Sequence, residues 1–224
     1  MTTGAIVAGG RSTRFGEADK SVAPLSGVPM VRRVANRLAG ADDPVPPGSE
    51  RASSGKSVVD DLVINCRADQ RDAIEVALDG ISLPVRWAID EEPDLGPMAG
   101  IRNACRAAPG EYALVVACDM PFVDPAFVET LFADAAGHDA AVPRLSDRWY
   151  QTTQAVYRAG AMADACERAL ARGDRKIIDP LFDLEFVVVD DATIRKRTDE
   201  RTFENVNTDA DLEAAEAAIE IALE

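Results

Sequence analysis

The run Ala8-Gly9-Gly10-Arg11-Ser12-Thr13-Arg14-Phe15-Gly16-Glu17-Ala18-Asp19-Lys20 follows the apolar stretch Gly4-Ala5-Ile6-Val7, and its residue types suit a nucleoside triphosphate. Paired glycines let a phosphate or base approach the backbone with no Cβ in the way, and exposed amides beside an emerging helix bind anions. Arg14 can grip two phosphate oxygens with its planar guanidinium, whereas Lys20 supplies a mobile point charge. Spacing excludes two common phosphate motifs. A Walker loop ends in Gly-Lys-Ser/Thr, and here the order is Asp19-Lys20-Ser21; a dinucleotide fingerprint needs glycines at its first, third and sixth positions, and these stand at 9, 10 and 16.

Asp119 ends the buried-strand pattern Tyr112-Ala113-Leu114-Val115-Val116-Ala117-Cys118, and Met120-Pro121 stops it sharply. A carboxylate at such an edge is costly unless a cation or hydrogen bonds hold it. Mg²⁺ suits a carboxylate beside phosphates, because it keeps its waters and takes one or two protein oxygens; capping the following turn is the other role open to Asp119. Asn65 and Asp90 close two further strand patterns. Asp90 can accept from guanine donors or a ribose hydroxyl, Asp94 is its rival, and a turn-forming role is open to Asn65 and Asp90 alike. Gly96-Pro97-Met98-Ala99-Gly100 places proline at a helix start among small residues, so that terminus can approach a ligand closely. Asn205 and Asn207 alternate in an extended segment and face the same way, just before Thr208-Asp209 caps the last helix.

A hydrophobic strand, Ala-Gly-Gly, a small polar pair, Arg, an aromatic, Gly and then Asp-Lys resembles the signature of the small nucleotidyltransferases. The whole pattern is similar to the molybdenum cofactor guanylyltransferase family. Pro24-Leu25-Ser26-Gly27-Val28-Pro29-Met30-Val31 resembles the segment after that family's lysine, Gly96-Pro97-Met98-Ala99-Gly100-Ile101 its Gly-Pro-Leu-Ala-Gly block, Cys118-Asp119-Met120-Pro121-Phe122 its metal-binding turn, and Asn205-Val206-Asn207-Thr208 its Asn-x-Asn-Thr. The resemblance implies transfer of GMP from GTP to the phosphate of molybdopterin, with Mg²⁺ as cofactor and pyrophosphate as leaving group. It implies nucleotide binding by Val7, Ala8, Gly9, Gly10, Lys20, Asn65, Asp90, Gly96, Gly100 and Asp119, metal binding by Asp119, and catalysis by Arg14, Lys20 and Asp119. It places Asn205 and Asn207 beside the metal and the second substrate. Related cytidylyltransferases are expected to carry a Ser-containing block where this chain has Pro97-Met98-Ala99-Gly100, which favours guanine. The N-terminal motif is shared with enzymes acting on cobinamide phosphate, phospholactate or sugar phosphates, so those acceptors stay open, as does a nucleotide-binding module that keeps the fold without the chemistry. Gly96 to Ile101 and Asn205 to Thr208 speak for the pterin acceptor, and a sensor needs no leaving-group clamp joined to a metal ligand.

These residues require a scaffold that gathers strand ends. Strand patterns occur over 4–7, 62–65, 85–89, 112–117, 140–142, 154–157 and 186–189, and helical ones over 30–38, 70–78, 99–107, 125–136, 160–171 and 210–221. Their alternation predicts an α/β fold, one Rossmann-like domain with a mostly parallel sheet and helices on both faces, like the nucleotide-diphospho-sugar transferases. In such sheets ligands bind outside the carboxyl ends of the strands, where Gly9, Asn65, Asp90 and Asp119 all fall. The Pro-, Gly- and Ser-rich segment 41–57 reads as a flexible insertion.

Composition narrows the partners. A net charge of -15 over 224 residues repels polyanions, which excludes a broad nucleic-acid surface. Acidity with only four lysines, Lys20, Lys56, Lys176 and Lys196, suits a high-salt cytoplasm, where screening makes self-repulsion tolerable. One histidine, His138, leaves little scope for histidine-based catalysis and disfavours triads and His-rich zinc sites alike. Cys66, Cys105, Cys118 and Cys166 are far apart and lie in apolar or helical contexts, as buried thiols of a reducing cytoplasm do. Neither a signal-peptide pattern nor a membrane-length apolar run occurs. The expected partners are GTP, the phosphorylated acceptor, and transiently the proteins that make or receive the molybdenum cofactor.

Overall fold

Strand and helix alternate through the described residues, which are 1–10, 19–40, 55–90, 96–146 and 149–223 of the computed structural model. The order is β1 (Thr2–Val7), a small hairpin of β2 (Pro24–Leu25) and β3 (Val28–Pro29), α1 (Met30–Leu38), β4 (Asp61–Arg67), α2 (Arg71–Ala77), β5 (Val85–Asp90), α3 (Pro97–Ala107) and β6 (Tyr112–Ala117). Then come α4 (Pro125–Ala135), β7 (Ala140–Arg144), β8 (Gln154–Arg158), α5 (Ala159–Arg172), β9 (Phe186–Asp190), α6 (Asp191–Arg197) and α7 (Asp209–Leu223). Seven strands make one sheet in the order β5-β4-β1-β6-β8-β7-β9. β1 pairs parallel with β4 and β6, β4 with β5, and β7 with β9, whereas β8 runs antiparallel to β6 and β7. The parallel strands therefore all end on one edge, and the first four of them from the β5 side finish near Asp90, Asn65, Gly9 and Asp119.

Period-two alternation decides the layers. Ile6, Ile64 and Val116 bury against α1, α2, α4 and α6, while their neighbours Ala5, Val63 and Val115 bury against α3 and α5. Each fully buried aliphatic of this kind is worth about 1.5–3 kcal/mol, so the two packed faces hold the sheet edge in place. A third cluster joins Leu25 and Met30 at the hairpin to Val206 and Ala215, which seats α7 beside the edge.

Two differences from the sequence reading have local causes. α3 starts at Pro97, two residues earlier than the periodicity places it, because proline at the first helical position is already in helical geometry. α6 and the hairpin carry no readable pattern: α6 buries only Ile194 and is held by its ends, with Asp190 capping the Thr193 amide at 2.9 Å and basic residues in the last turn. The expected insertion at 41–57 lies outside the described residues over 41–54.

Among the described residues no helix is long and apolar enough to cross a membrane. All four cysteines are free and buried. Burial pushes the Cys66 and Cys166 thiols up to about 12 and raises those of Cys105 and Cys118 as well.

Candidate active site

At the ends of β1 and β6 a buried lysine meets a carboxylate. Lys20 Nζ lies 2.5 Å from Asp119 Oδ2 and donates to Asn207 Oδ1 at 2.7 Å. Lys20 is only 8% exposed, so its charge depends on these acceptors. Its position comes from a 3-10 turn over Lys20–Val22 that Asp19 caps by accepting from the Ser21 amide at 3.0 Å. The Asp119 turn is fixed from both sides. The Cys118 amide donates to the Val7 carbonyl at 3.1 Å, and the Val206 amide donates to the Asp119 carbonyl at 2.9 Å.

Asn207 reaches Lys20 because its own segment is pinned to α7. The Asn207 and Thr208 amides both donate to Asp211 Oδ2 at 2.9 Å, and the Asp211 amide donates to Thr208 Oγ1 at 3.2 Å. This capping box holds the Asp211 carboxyl below the ordinary carboxylate range, chiefly through the Asn207 amide. Asn205, two residues earlier, is exposed and Val206 between them is buried.

Asp119 Oδ1 is buried and has no hydrogen-bond partner among the described residues. A carboxylate oxygen so placed fits a divalent cation. Among the described residues no group of three or more His, Cys, Asp and Glu side chains gathers.

Two strands away, at the ends of β4 and β5, a neutral network orients a second carboxylate. Asn65 Nδ2 donates to the Ala88 carbonyl at 2.9 Å and to Asp90 Oδ1 at 2.7 Å, and Asn103 Nδ2 on α3 donates to the same oxygen at 3.0 Å. Asp90 Oδ2 is left facing Gly9, where an added Cβ would overlap it. Asn65 is fully buried, its Oδ1 set against Gly100, where a Cβ would collide with it. Gly100 thus lets α3 close on the sheet, and Asn65 holds Asp90. Gly96 precedes α3 with φ 82°, a conformation that favours glycine. Ala8 donates to the Asn65 carbonyl at 2.8 Å. Gly10 is exposed, and among the described residues nothing lies within 4 Å of where a Cβ would stand.

The structure therefore joins Lys20, Asp119 and Asn207 in one knot and Gly9, Asn65, Asp90 and Gly100 in another on the same edge. Arg14 and Asp94 lie outside the described residues. Sequence reasoning missed Asn103, Arg67 and Gln70. Arg67 Nη1 donates to the Gly9 and Gly10 carbonyls at 3.2 and 3.1 Å, and Gln70 donates to the Ala8 carbonyl at 3.1 Å. The available signal was position: Arg67 and Gln70 lie two and five residues beyond Asn65, and Asn103 three beyond Gly100, close enough for a polar side chain to return to the strand ends.

Known proteins resemble this chain over most of its length. Residues 4–185 match the family described as the MobA-like NTP transferase domain. A protein of Natronomonas pharaonis named probable molybdenum cofactor guanylyltransferase is 46% identical over 213 residues, covering 95% of this chain and 96% of its own. One of the same name from Haloferax mediterranei is 39% identical over 212 residues, covering 94% and 91%. The crystal structure of molybdopterin-guanine dinucleotide biosynthesis protein A from Archaeoglobus fulgidus superposes with a TM-score of 0.73 at 28% identity, covering 97% of this chain and 98% of that one. With the family's domain matched from the first strand to the edge of the last, this chain belongs to the MobA-like NTP transferases.

Proposed function

We propose that the protein transfers GMP from GTP to the terminal phosphate of molybdopterin, releasing pyrophosphate. The observation that carries this reading is the knot of Lys20, Asp119 and Asn207, in which Asp119 keeps one oxygen on the lysine and one without a partner among the described residues. An oxygen of the acceptor phosphate attacks the α-phosphorus of GTP, a new P–O bond forms, and the bond to the bridging oxygen of the β-phosphate breaks. The acceptor is already an anion at neutral pH, so the protein needs no general base; its work is alignment and charge neutralisation.

Asp119 would hold Mg²⁺ through Oδ1, and the ion when bound supplies charge neutralisation between phosphates. Lys20 and Arg14 meet the charge that builds on the departing pyrophosphate. Gly9 and Gly10 give the nucleotide access to backbone, Asp90 offers Oδ2 to a ribose or base donor, and Asn207 with Asn205 faces the acceptor side. The guanine choice is supported by Gly96-Pro97-Met98-Ala99-Gly100 and by the printed names of the relatives. Four buried free thiols support a reducing, cytoplasmic setting, in which the other partners are proteins that supply or receive the cofactor.

The test is pyrophosphate release in high-salt buffer with Mg²⁺, comparing GTP, CTP, ATP and UTP with and without molybdopterin, and Asp119→Ala as control. Release that needs both GTP and the pterin and vanishes in the variant is the expected result. Release with GTP only when another phosphorylated acceptor is supplied would overturn the acceptor, and no release with any pair would overturn the enzyme reading.

A further inference from the structure

Both roots of the glycine-rich stretch meet on one buried side chain. Gln70, just after β4, is 3% exposed. Its Nε2 donates to the Ala8 carbonyl at 3.1 Å and to Asp19 Oδ1 at 3.0 Å, and its Oε1 accepts from the Arg67 amide at 3.0 Å. Both amide hydrogens and the carbonyl are thus committed within the protein. Asp19 Oδ1 also accepts from the Ser21 amide and from Ser21 Oγ at 2.8 Å, which caps the turn that presents Lys20.

We propose that Gln70 is a positioning residue for phosphate transfer: it ties the strand end before Gly9 to the cap before Lys20, and so sets where the lysine amine meets Asp119. Ala8 and Asp19 belong to separate parts of the described chain, so one side chain bonded to both fixes their positions relative to each other and to β4. A glutamine is required by the partners. Two acceptors, a carbonyl and a carboxylate, face Nε2, and a donor, the Arg67 amide, faces Oε1. An apolar residue would strand all three, and a glutamate would set a third acceptor against two. Arg67 adds to the same restraint through the Gly9 and Gly10 carbonyls.

The kinetic part of this inference rests on the nucleotidyltransferase reading. In Gln70→Glu, kcat for pyrophosphate release is expected to fall about ten- to a hundredfold, as for loss of a hydrogen bond to a charged group that orients a catalytic cation, with a smaller change in KM for GTP. Asp19→Ala is expected to lower kcat by at least as much, and Gln70→Met added to it should cost less than in the wild-type background, because both changes act through the one contact. A wild-type kcat in Gln70→Glu, or effects at positions 19 and 70 that simply multiply, would overturn the inference.

Amide hydrogen exchange at Ser21 separates this from failure of the function itself, since it needs no turnover. Exchange there should quicken about tenfold in Gln70→Glu and in the shape-keeping Gln70→Met, with Val63 and Val115 in the core unchanged. An unchanged Ser21 rate would overturn the restraint even in an active enzyme, and a changed one would stand even if no acceptor supported release.

Discussion

Alanine at Gly9 should disable nucleotide binding through a carboxylate it does not itself replace. Gly9 does not adopt a left-handed backbone, so alanine is conformationally allowed and its effect comes from the space the methyl occupies. The added Cβ overlaps Asp90 Oδ2 and comes within 3.4 Å of Asn65 Oδ1. Asp90 can escape only by turning its carboxylate, which draws Oδ1 away from the Asn65 amide at 2.7 Å and the Asn103 amide at 3.0 Å. A hydrogen bond to a charged group is worth about 1.5–3 kcal/mol. Loss of one such bond, made to the ligand only when Asp90 is held, corresponds to about ten- to 150-fold in affinity. Calorimetric titration of GTP with Mg²⁺ measures this directly. Gly10→Ala is the companion, because a Cβ there meets no described residue within 4 Å and leaves Asp90 in place. A Gly9→Ala protein that binds GTP within twofold of wild type, or no more weakly than Gly10→Ala, would refute the reasoning.

Lys20→Met should lower turnover by about two to three powers of ten, the usual cost of removing one preorganised charge stabiliser, whereas Asn207→Ala, which removes a neutral acceptor, should cost less; steady-state pyrophosphate release compares them. The thiols should resist alkylation in the native protein at neutral pH, because the thiolate is the reactive form and burial holds Cys66 and Cys166 near about 12. The sign is fixed: labelling at neutral pH should be slow when folded and fast in denaturant, where the thiols return toward their ordinary value of 9.0. Rapid labelling of the folded chain, followed by mass spectrometry, would contradict their placement.

The parts that could be read in the sequence are those with a period or a punctuation mark. Short apolar runs around Ile6, Ile64 and Val116 disclose the strands, and Pro121 and Gly96 mark where strand and helix ends must turn. That is why Gly9, Asn65, Asp90 and Asp119 could be assigned to one edge before any coordinates. What could not be read depends on which elements pack together. Asn103 meets Asp90 only because α3 lies against β4 and β5, and Gln70 reaches Ala8 and Asp19 only because β4 is the parallel neighbour of β1. The role of Gly100 shows the same limit: its smallness is visible in the sequence, but that it spares the Asn65 amide needs the helix docked. α6 was silent because helix ends and not an apolar face sustain it.

The knot also has an order of assembly. Its members are residues 20, 119 and 207, so the third arrives well after the other two. The contact between Lys20 and Asn207 closes a span of 187 positions, and spans of that kind form late in folding because chain entropy is lost before they repay it. A growing chain can build β1, β4, β5 and β6 and bring the lysine to Asp119 while still lacking its amide partner. On the proposed function, full competence for catalysis therefore waits on the docking of α7, and fraying of that helix would weaken the enzyme before the sheet had lost a strand.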